Sequence, residues 1–198
     1  MAELDALGRR HTVIHCGPEH LEAIRGIYNH EILHTTALYE YEPRSSETMA
    51  AWWAAKQAAG LPVLGIEAGP GVLAAFATWG PFRAFPAYQY SVEHSVYVDA
   101  RFRRHGFGRM LLSALVEEAT AGNLHMMVGV IDATNTASIG LHRQRGFAHC
   151  GTVREAGFKF GRWLDVEFWQ LLLPPATGIK VERPEPPGAV QASDSRAG

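Results

Sequence analysis

Cysteine is scarce in this chain. Cys16 and Cys150 are the only two in 198 residues, and they show no paired spacing. That excludes a disulfide framework and points to a reduced, cytoplasmic protein. Charge of one sign is lacking too: 18 Lys and Arg stand against 20 Asp and Glu, a formal net charge of −2. Such a balance offers no broad attraction for nucleic acid or an anionic membrane surface, and neither is expected as a partner. No apolar run is long enough to cross a bilayer, and the first residues hold no signal-peptide core. No internal repeat is visible. The chain is 47% hydrophobic, which suffices for one core.

Residues 1–173 read as one domain. From Pro174 the composition shifts, and 174–198 reads as a disordered Pro/Gly-rich tail. The first ten or so residues are also expected to be loose. Hydrophobic periodicity predicts a strand over 12–15 and a helix from Pro18 that aligns Leu21, Ile24, Ile27 and Tyr28. Residues 35–41 alternate and read as β-rich. Ser45 or Ser46 starts a second helix, which Gly60 ends. Strands are predicted over 62–67, 71–79 and 88–98, and a central helix over 107–121. A buried strand over 124–131, a short helix between 132 and 146, and strands over 148–154 and 164–173 complete an α/β pattern.

Between the strand that ends at Val98 and the central helix lies Arg103-Arg104-His105-Gly106-Phe107-Gly108. A turn of this kind exposes backbone N–H groups at a helix N-terminus, where the dipole favours an anion. Its glycines let a ligand approach the backbone, and its arginines, with Arg109, offer forked donors suited to phosphate. Neither common nucleotide motif fits. A P-loop needs Lys and then Ser or Thr after its last glycine, whereas Arg109 and Met110 follow Gly108. A dinucleotide-binding turn needs a third glycine or alanine, and Leu111 stands there.

The pattern Arg-x-x-Gly-x-Gly over 103–108 resembles the acetyl-CoA pyrophosphate loop of the GNAT superfamily of N-acetyltransferases. Ser91-Val-Glu93-His-Ser-Val-Tyr-Val98 and the late Gly157-to-Gln170 segment resemble the phosphinothricin and methionine sulfoximine acetyltransferase subgroup. The likeness runs from about Ile27 to Leu173. It implies a GNAT fold, with a mixed, mostly antiparallel sheet flanked by helices. It implies acetyl-CoA as co-substrate with no metal, a small amino-acid-like amine as acceptor, and a homodimer. Val96, Tyr97 and Val98 would hold the pantetheine, residues 103–109 the diphosphate, and Asn135 and Ser138 the pantetheine and phosphate arm.

Acetyl transfer to an amine needs a base, an oxyanion donor and a proton for the leaving thiolate. The resemblance makes Glu93 the base, with partial burial raising its pKa. A backbone N–H near Tyr97 or Val98 is the oxyanion donor. His142 stands where many relatives have Tyr; it is either the proton donor or a packing residue at a helix C-terminus. Phe82, Arg83 and Tyr39, with Tyr41, are candidates for the acceptor pocket. Arg83 is suited to a substrate carboxylate or phosphinate. Lys159, beside Phe158 and Trp163 in a hairpin that forms the dimer in the resembling family, is a candidate anion contact.

His30-Glu31-Ile32-Leu33-His34 spells the zinc-protease signature H-E-x-x-H. The β-prone residues after it put His34 at or beyond the helix end, although Glu40, Glu42 and Glu47 remain as a third ligand. Two other readings share the loop at 103–108. One is a protein N-terminal or lysine acetyltransferase. The other is an acyl-CoA sensor without turnover, against which Glu93 argues.

Overall fold

The computed structural model describes residues 2–4 and 10–174. Pro174 is the last of these, so the remainder of the expected tail lies outside the described residues. Eight strands form one sheet in the order β1-β2-β3-β4-β5-β6-β8-β7. They are β1 (Ala2–Leu4), β2 (Arg10–His15), β3 (Val63–Gly69), β4 (Val72–Pro81), β5 (Ser91–Val98), β6 (Met126–Asp132), β7 (Ala148–Lys159) and β8 (Arg162–Leu172). The helices are α1 (Leu21–His34), α2 (Ser46–Ala58), α3 (Phe107–Ala121) and α4 (Thr136–Gln144). All strand pairs are antiparallel except β5 with β6. That parallel pair needs a crossover, and α3 supplies it.

Local chemistry sets the helix ends. Ser45 caps α2 by accepting the Thr48 N–H at 3.1 Å, and Asn135 caps α4 by accepting the Ser138 N–H at 3.1 Å. Gly106 precedes α3 at φ 86°, a left-handed conformation that glycine adopts without a Cβ clash. The span of α3 matches the sequence expectation at both ends.

β4 lies deep in the sheet, and its residues from Leu73 to Trp79 are all buried. One face packs on α3 through Met110, Leu111, Leu112 and Leu115. The other packs on α1 and α2 through Phe76, Tyr97, Ile24, Ile27, Tyr28 and Met49. Each such buried side chain contributes about 1.5–3 kcal/mol.

Two expectations need correction. Residues 35–41 form no strand, although their sequence is β-prone. The carbonyls of Thr35 and Leu38 turn to the Lys159 ammonium, at 2.8 and 2.5 Å, instead of to a neighbouring strand. Helix α1 ends at His34, at the helix end as the sequence suggests, and His30 lies one turn earlier, the two ring centroids 4.8 Å apart. Between them, however, Glu31 is turned to Thr35 and Arg103. Among the described residues no group of three or more His, Cys, Asp or Glu side chains is placed to hold a metal ion. Lastly, Ala2–Leu4 is not loose but pairs with β2, Ala2 opposite Thr12.

The parallel pairing of β5 with β6 runs only from Ser91–Met126 to His94–Gly129. Both strands continue, to Val98 and Asp132, but they part company. Gly129 sits at the vertex, where a Cβ would come 2.7 Å from His142 Nε2 and 3.1 Å from His94 Nε2. Gly129→Ala is therefore expected to destabilise the protein by about 1–3 kcal/mol, read as a lower midpoint in urea. An unchanged midpoint would mean that the vertex tolerates a methyl group.

Candidate active site

The parted strands open a cleft of about 680 Å³. Its floor is the last four residues of β5 and residues 129–132 of β6; its walls come from the 103–109 turn, α4, and the chain after α1. The free edges of the two strands leave backbone N–H and C=O groups available to an extended ligand arm, which can pair as an added strand does.

Most of the residues expected to bind the cofactor meet here. Val96, Tyr97, Val98, Arg103, Arg104, Gly106, Phe107, Gly108, Arg109, Asn135 and Ser138 all line the cleft, as does His142. At its mouth Gly106 caps α3 without a side chain. The N–H groups of Phe107 and Gly108 have no backbone partner among the described residues. These donors and the helix dipole favour an anion. Arg104, at φ 68°, and Arg109 stand beside them without an ion pair among the described residues. This combination of free amides and unpaired guanidinium groups is suited to a diphosphate. Gly108 brings α3 close to α4, since a Cβ there would lie 3.4 Å from Leu141.

Two members of that loop have other partners. Arg103 pairs with Glu31, a carboxylate only 4% exposed, and also reaches the Val98 carbonyl at 3.4 Å. Its side chain ties the phosphate turn to α1. His105 does not line the cleft. Its Nδ1 bonds back to the Arg103 and Phe102 carbonyls at 2.9 and 3.1 Å, and its ring lies over Phe107. The expected ligand contact is thus corrected to a brace of the turn, because the ring faces its own backbone.

Glu93 lies on β5 one step before the vertex. Strand alternation puts it on the face of Tyr97, which α1 covers through Tyr28. Its side chain is 40% exposed, and Arg83 Nη1 stands 3.9 Å from Oε2. Burial raises its pKa above the usual carboxylate value, with Arg83 opposing the shift. Arg83 also donates to the Phe82 carbonyl at 2.7 Å. Phe82 and Val128, the register partner of Glu93, line a second hollow of about 390 Å³. Glu93, Arg83 and Phe82 therefore border the sheet face opposite α3.

Four of the candidate residues are engaged within the protein. Lys159 is 3% exposed, and its ammonium donates to the Thr35 and Leu38 carbonyls, so it holds a loop in place of the expected anion contact. Burial lowers its pKa. Tyr39 packs on Gly157 and sits 3.4 Å from Asp132 Oδ2, outside the main cleft. Burial and the Asp132 charge push its phenol up to about 12. Tyr41 bonds the Phe158 carbonyl at 2.5 Å. His142 is buried with both ring nitrogens engaged: Nδ1 lies 2.7 Å from the Ser138 carbonyl and Nε2 lies 3.1 Å from His94 Nε2. Burial lowers its pKa, which favours the neutral ring. These contacts favour the packing alternative. The sequence reading missed Glu31, Thr35, Thr36, His94 and Gly129, all of which line the cleft. Only the H-E-x-x-H pattern had drawn attention to the first of these.

With this geometry in view, the comparisons are specific. The profile of the Acetyltransferase (GNAT) family matches residues 26–147. An L-methionine sulfoximine/L-methionine sulfone acetyltransferase of Salmonella typhimurium is 44% identical over 151 residues, 76% of this chain and 88% of that protein. A phosphinothricin N-acetyltransferase of Alcaligenes faecalis is 37% identical over 151 residues, 76% of each. A crystal structure of a GNAT superfamily phosphinothricin acetyltransferase from Sinorhizobium meliloti, in complex with AcCoA, superposes with a TM-score of 0.81 at 35% identity. It covers 86% of this chain and 92% of that one.

Lys159 supplies the test of the loop brace. Lys159→Met removes the ammonium donor from two carbonyls and should cost about 1–3 kcal/mol of stability in denaturant unfolding. Faster amide exchange confined to residues 35–38 is expected with it. Unchanged exchange there would exclude Lys159 as the anchor.

Proposed function

The chain belongs to the GNAT acetyltransferase family and is an acetyl-CoA-dependent N-acetyltransferase; we propose that its acceptor is the amino group of a small amino-acid-like molecule of the methionine sulfoximine, methionine sulfone or phosphinothricin type. The observation that carries this is the pairing of two sites across one strand. The cleft with its phosphate turn lies on one side of the β5 vertex, and a partly buried carboxylate, Glu93, lies on the other beside Arg83. The names of the relatives support the acceptor class.

The residues divide the work as follows. Acetyl-CoA supplies an activated thioester. The amides of residues 106–108, with Arg104 and Arg109, bind its diphosphate, and the free edge of β5 aligns the pantetheine. Arg83 pairs with the acceptor's carboxylate or phosphinate, and Phe82 and Val128 pack on its side chain. An amine is largely protonated at neutral pH, and Glu93 removes that proton directly or through one water. The freed nitrogen attacks the thioester carbonyl. A backbone N–H near Tyr97 or Val98 donates to the oxygen that gains charge. When the C–S bond breaks, the thiolate takes a proton that the acylated nitrogen must lose, so His142 is not required. The exposed aromatic hairpin of β7 and β8, with Phe158, Phe160 and Trp163 between 47% and 59% exposed, supports a homodimer. Sparse cysteine supports a cytoplasmic setting.

Glu93→Gln is expected to lower kcat by about 10²–10⁴-fold. Acetyl-CoA affinity should change little, because Glu93 does not line the cofactor cleft. Free-thiol release and calorimetry measure the two quantities. Glu93 acts when deprotonated and its pKa is raised, so wild-type kcat/KM should fall as pH drops through a value above the ordinary carboxylate range. Undiminished turnover in the variant would remove Glu93 from the mechanism. Arg104→Ala should weaken acetyl-CoA binding by about tenfold, as the loss of one charged hydrogen bond does. Equal affinity would remove that side chain from the phosphate site.

A further inference from the structure

His94 is the vertex residue of β5, and His142 projects from α4 to meet it. We propose that His94 is a positioning residue that locks His142 in a single tautomer, donating its Nε2–H to His142 Nε2 and so removing His142 from proton exchange with the cleft.

The hydrogen-bond inventory leads there. The Ser138 carbonyl only accepts, so His142 Nδ1, 2.7 Å away, carries a hydrogen. A neutral ring with that hydrogen has a lone pair on Nε2. The atom facing the lone pair at 3.1 Å is His94 Nε2, which must then carry its own hydrogen. His94 Nδ1 is left bare. It is a buried side-chain atom with no hydrogen-bond partner. This tautomer leaves a lone pair unpaired in the interior, and a stranded N–H would be the rarer defect.

The ring planes differ by only 16°, with centroids 5.0 Å apart, so the imidazoles meet edge to edge as an N–H···N bond requires. The surroundings keep them there. Gly129 of β6 gives the space, since any Cβ would strike both rings. Phe147, just after α4, presents its ring to both at 5.0 and 5.5 Å. Among the described residues the only titratable group acting on His94 is His142, and besides His94 the polar groups that meet His142 are the Ser138 carbonyl at 2.7 Å and, more distantly, the Ser138 hydroxyl at 3.5 Å. Burial and then mutual repulsion push His94 down to about 3. The pair is thus a neutral strut between the splayed strand and α4, which carries Asn135 and Ser138 in the cleft wall.

The lock does not depend on what the cleft binds; its kinetic consequence rests on the acetyltransferase reading. Nitrogen-15 NMR of the histidine-labelled full chain tests it directly. In the wild type, His142 should appear as the Nδ1–H tautomer and His94 as the Nε2–H tautomer, with both titrating below the ordinary imidazole range. His94→Ala opens His142 Nε2 to cleft water. Its titration should move up to about 6.5, and a matching ionisation should enter the acid limb of kcat/KM. His94→Gln restores an amide N–H donor, and both effects should disappear. A wild-type His142 protonated on Nε2, or Ala and Gln variants that titrate alike, would overturn the proposal. Tautomers as stated in a protein that transfers no acetyl group would uphold the lock and refute the reading of the cleft.

Discussion

The parting of β5 from β6 after His94–Gly129 is the constraint on which the site depends. A parallel pair kept in register to its end would satisfy its own backbone and leave nothing for a ligand. Here the pairing stops while both strands run on, so a set of oriented amides and carbonyls faces a cleft. The surrounding sheet carries the cost of that opening. β5 remains paired with β4 along its whole length, from Val92–Pro81 to Val98–Ala75, and β6 is paired with β8 through Asp132. Each free edge is therefore held rigid by a complete ladder on its other side.

Side chains from distant segments fix the two banks of the cleft relative to each other. Arg103 of the phosphate turn grips Glu31 of α1, and Thr35 Oγ1 donates to the same carboxylate at 2.9 Å. A carboxylate as buried as Glu31 would be costly alone, and the guanidinium and hydroxyl satisfy it. Lys159 holds the next residues of that segment through their carbonyls. The turn at 103–109 and the chain at 35–38 are consequently linked through one buried carboxylate.

How much of this was legible follows the range of the interactions. The phosphate turn, the ends of α3 and the caps at Ser45 and Asn135 depend on residues within one helical turn, and the sequence displays them. The segments that line the cleft were readable through family resemblance, because the order of short motifs survives when contacts are unknown. What was missed depends on contacts across the chain. Residues 35–41 look β-prone because Thr, Leu and Tyr are, yet Lys159 lies 121 positions from Leu38 and overrides that propensity. His94 gave no signal of its own, since its partner is 48 positions away and no local pattern announces a bond between imidazoles. The H-E-x-x-H spacing shows the converse case of a local pattern whose meaning distant contacts decide. It does set two histidines on one helix, but the glutamate between them faces Arg103 and no third ligand group joins them among the described residues.

Strand geometry explains why one short segment serves both halves of the chemistry. Consecutive residues of a strand point to opposite faces. Glu93 therefore lies on the α1 and α2 side, with Arg83 and the hollow behind Val128, while His94 faces α4 on the cofactor side. The next residues, Ser95 to Val98, carry the free edge between the two faces. In the proposed reaction a thioester drawn along that edge would reach the level of Glu93 from one side and an amine from the other. The protonation states complement this division. The carboxylate on the acceptor face has its pKa raised and so gains basicity, whereas the imidazoles on the cofactor face are driven neutral. Charge at the vertex thus resides on the side where the proposed reaction takes up a proton.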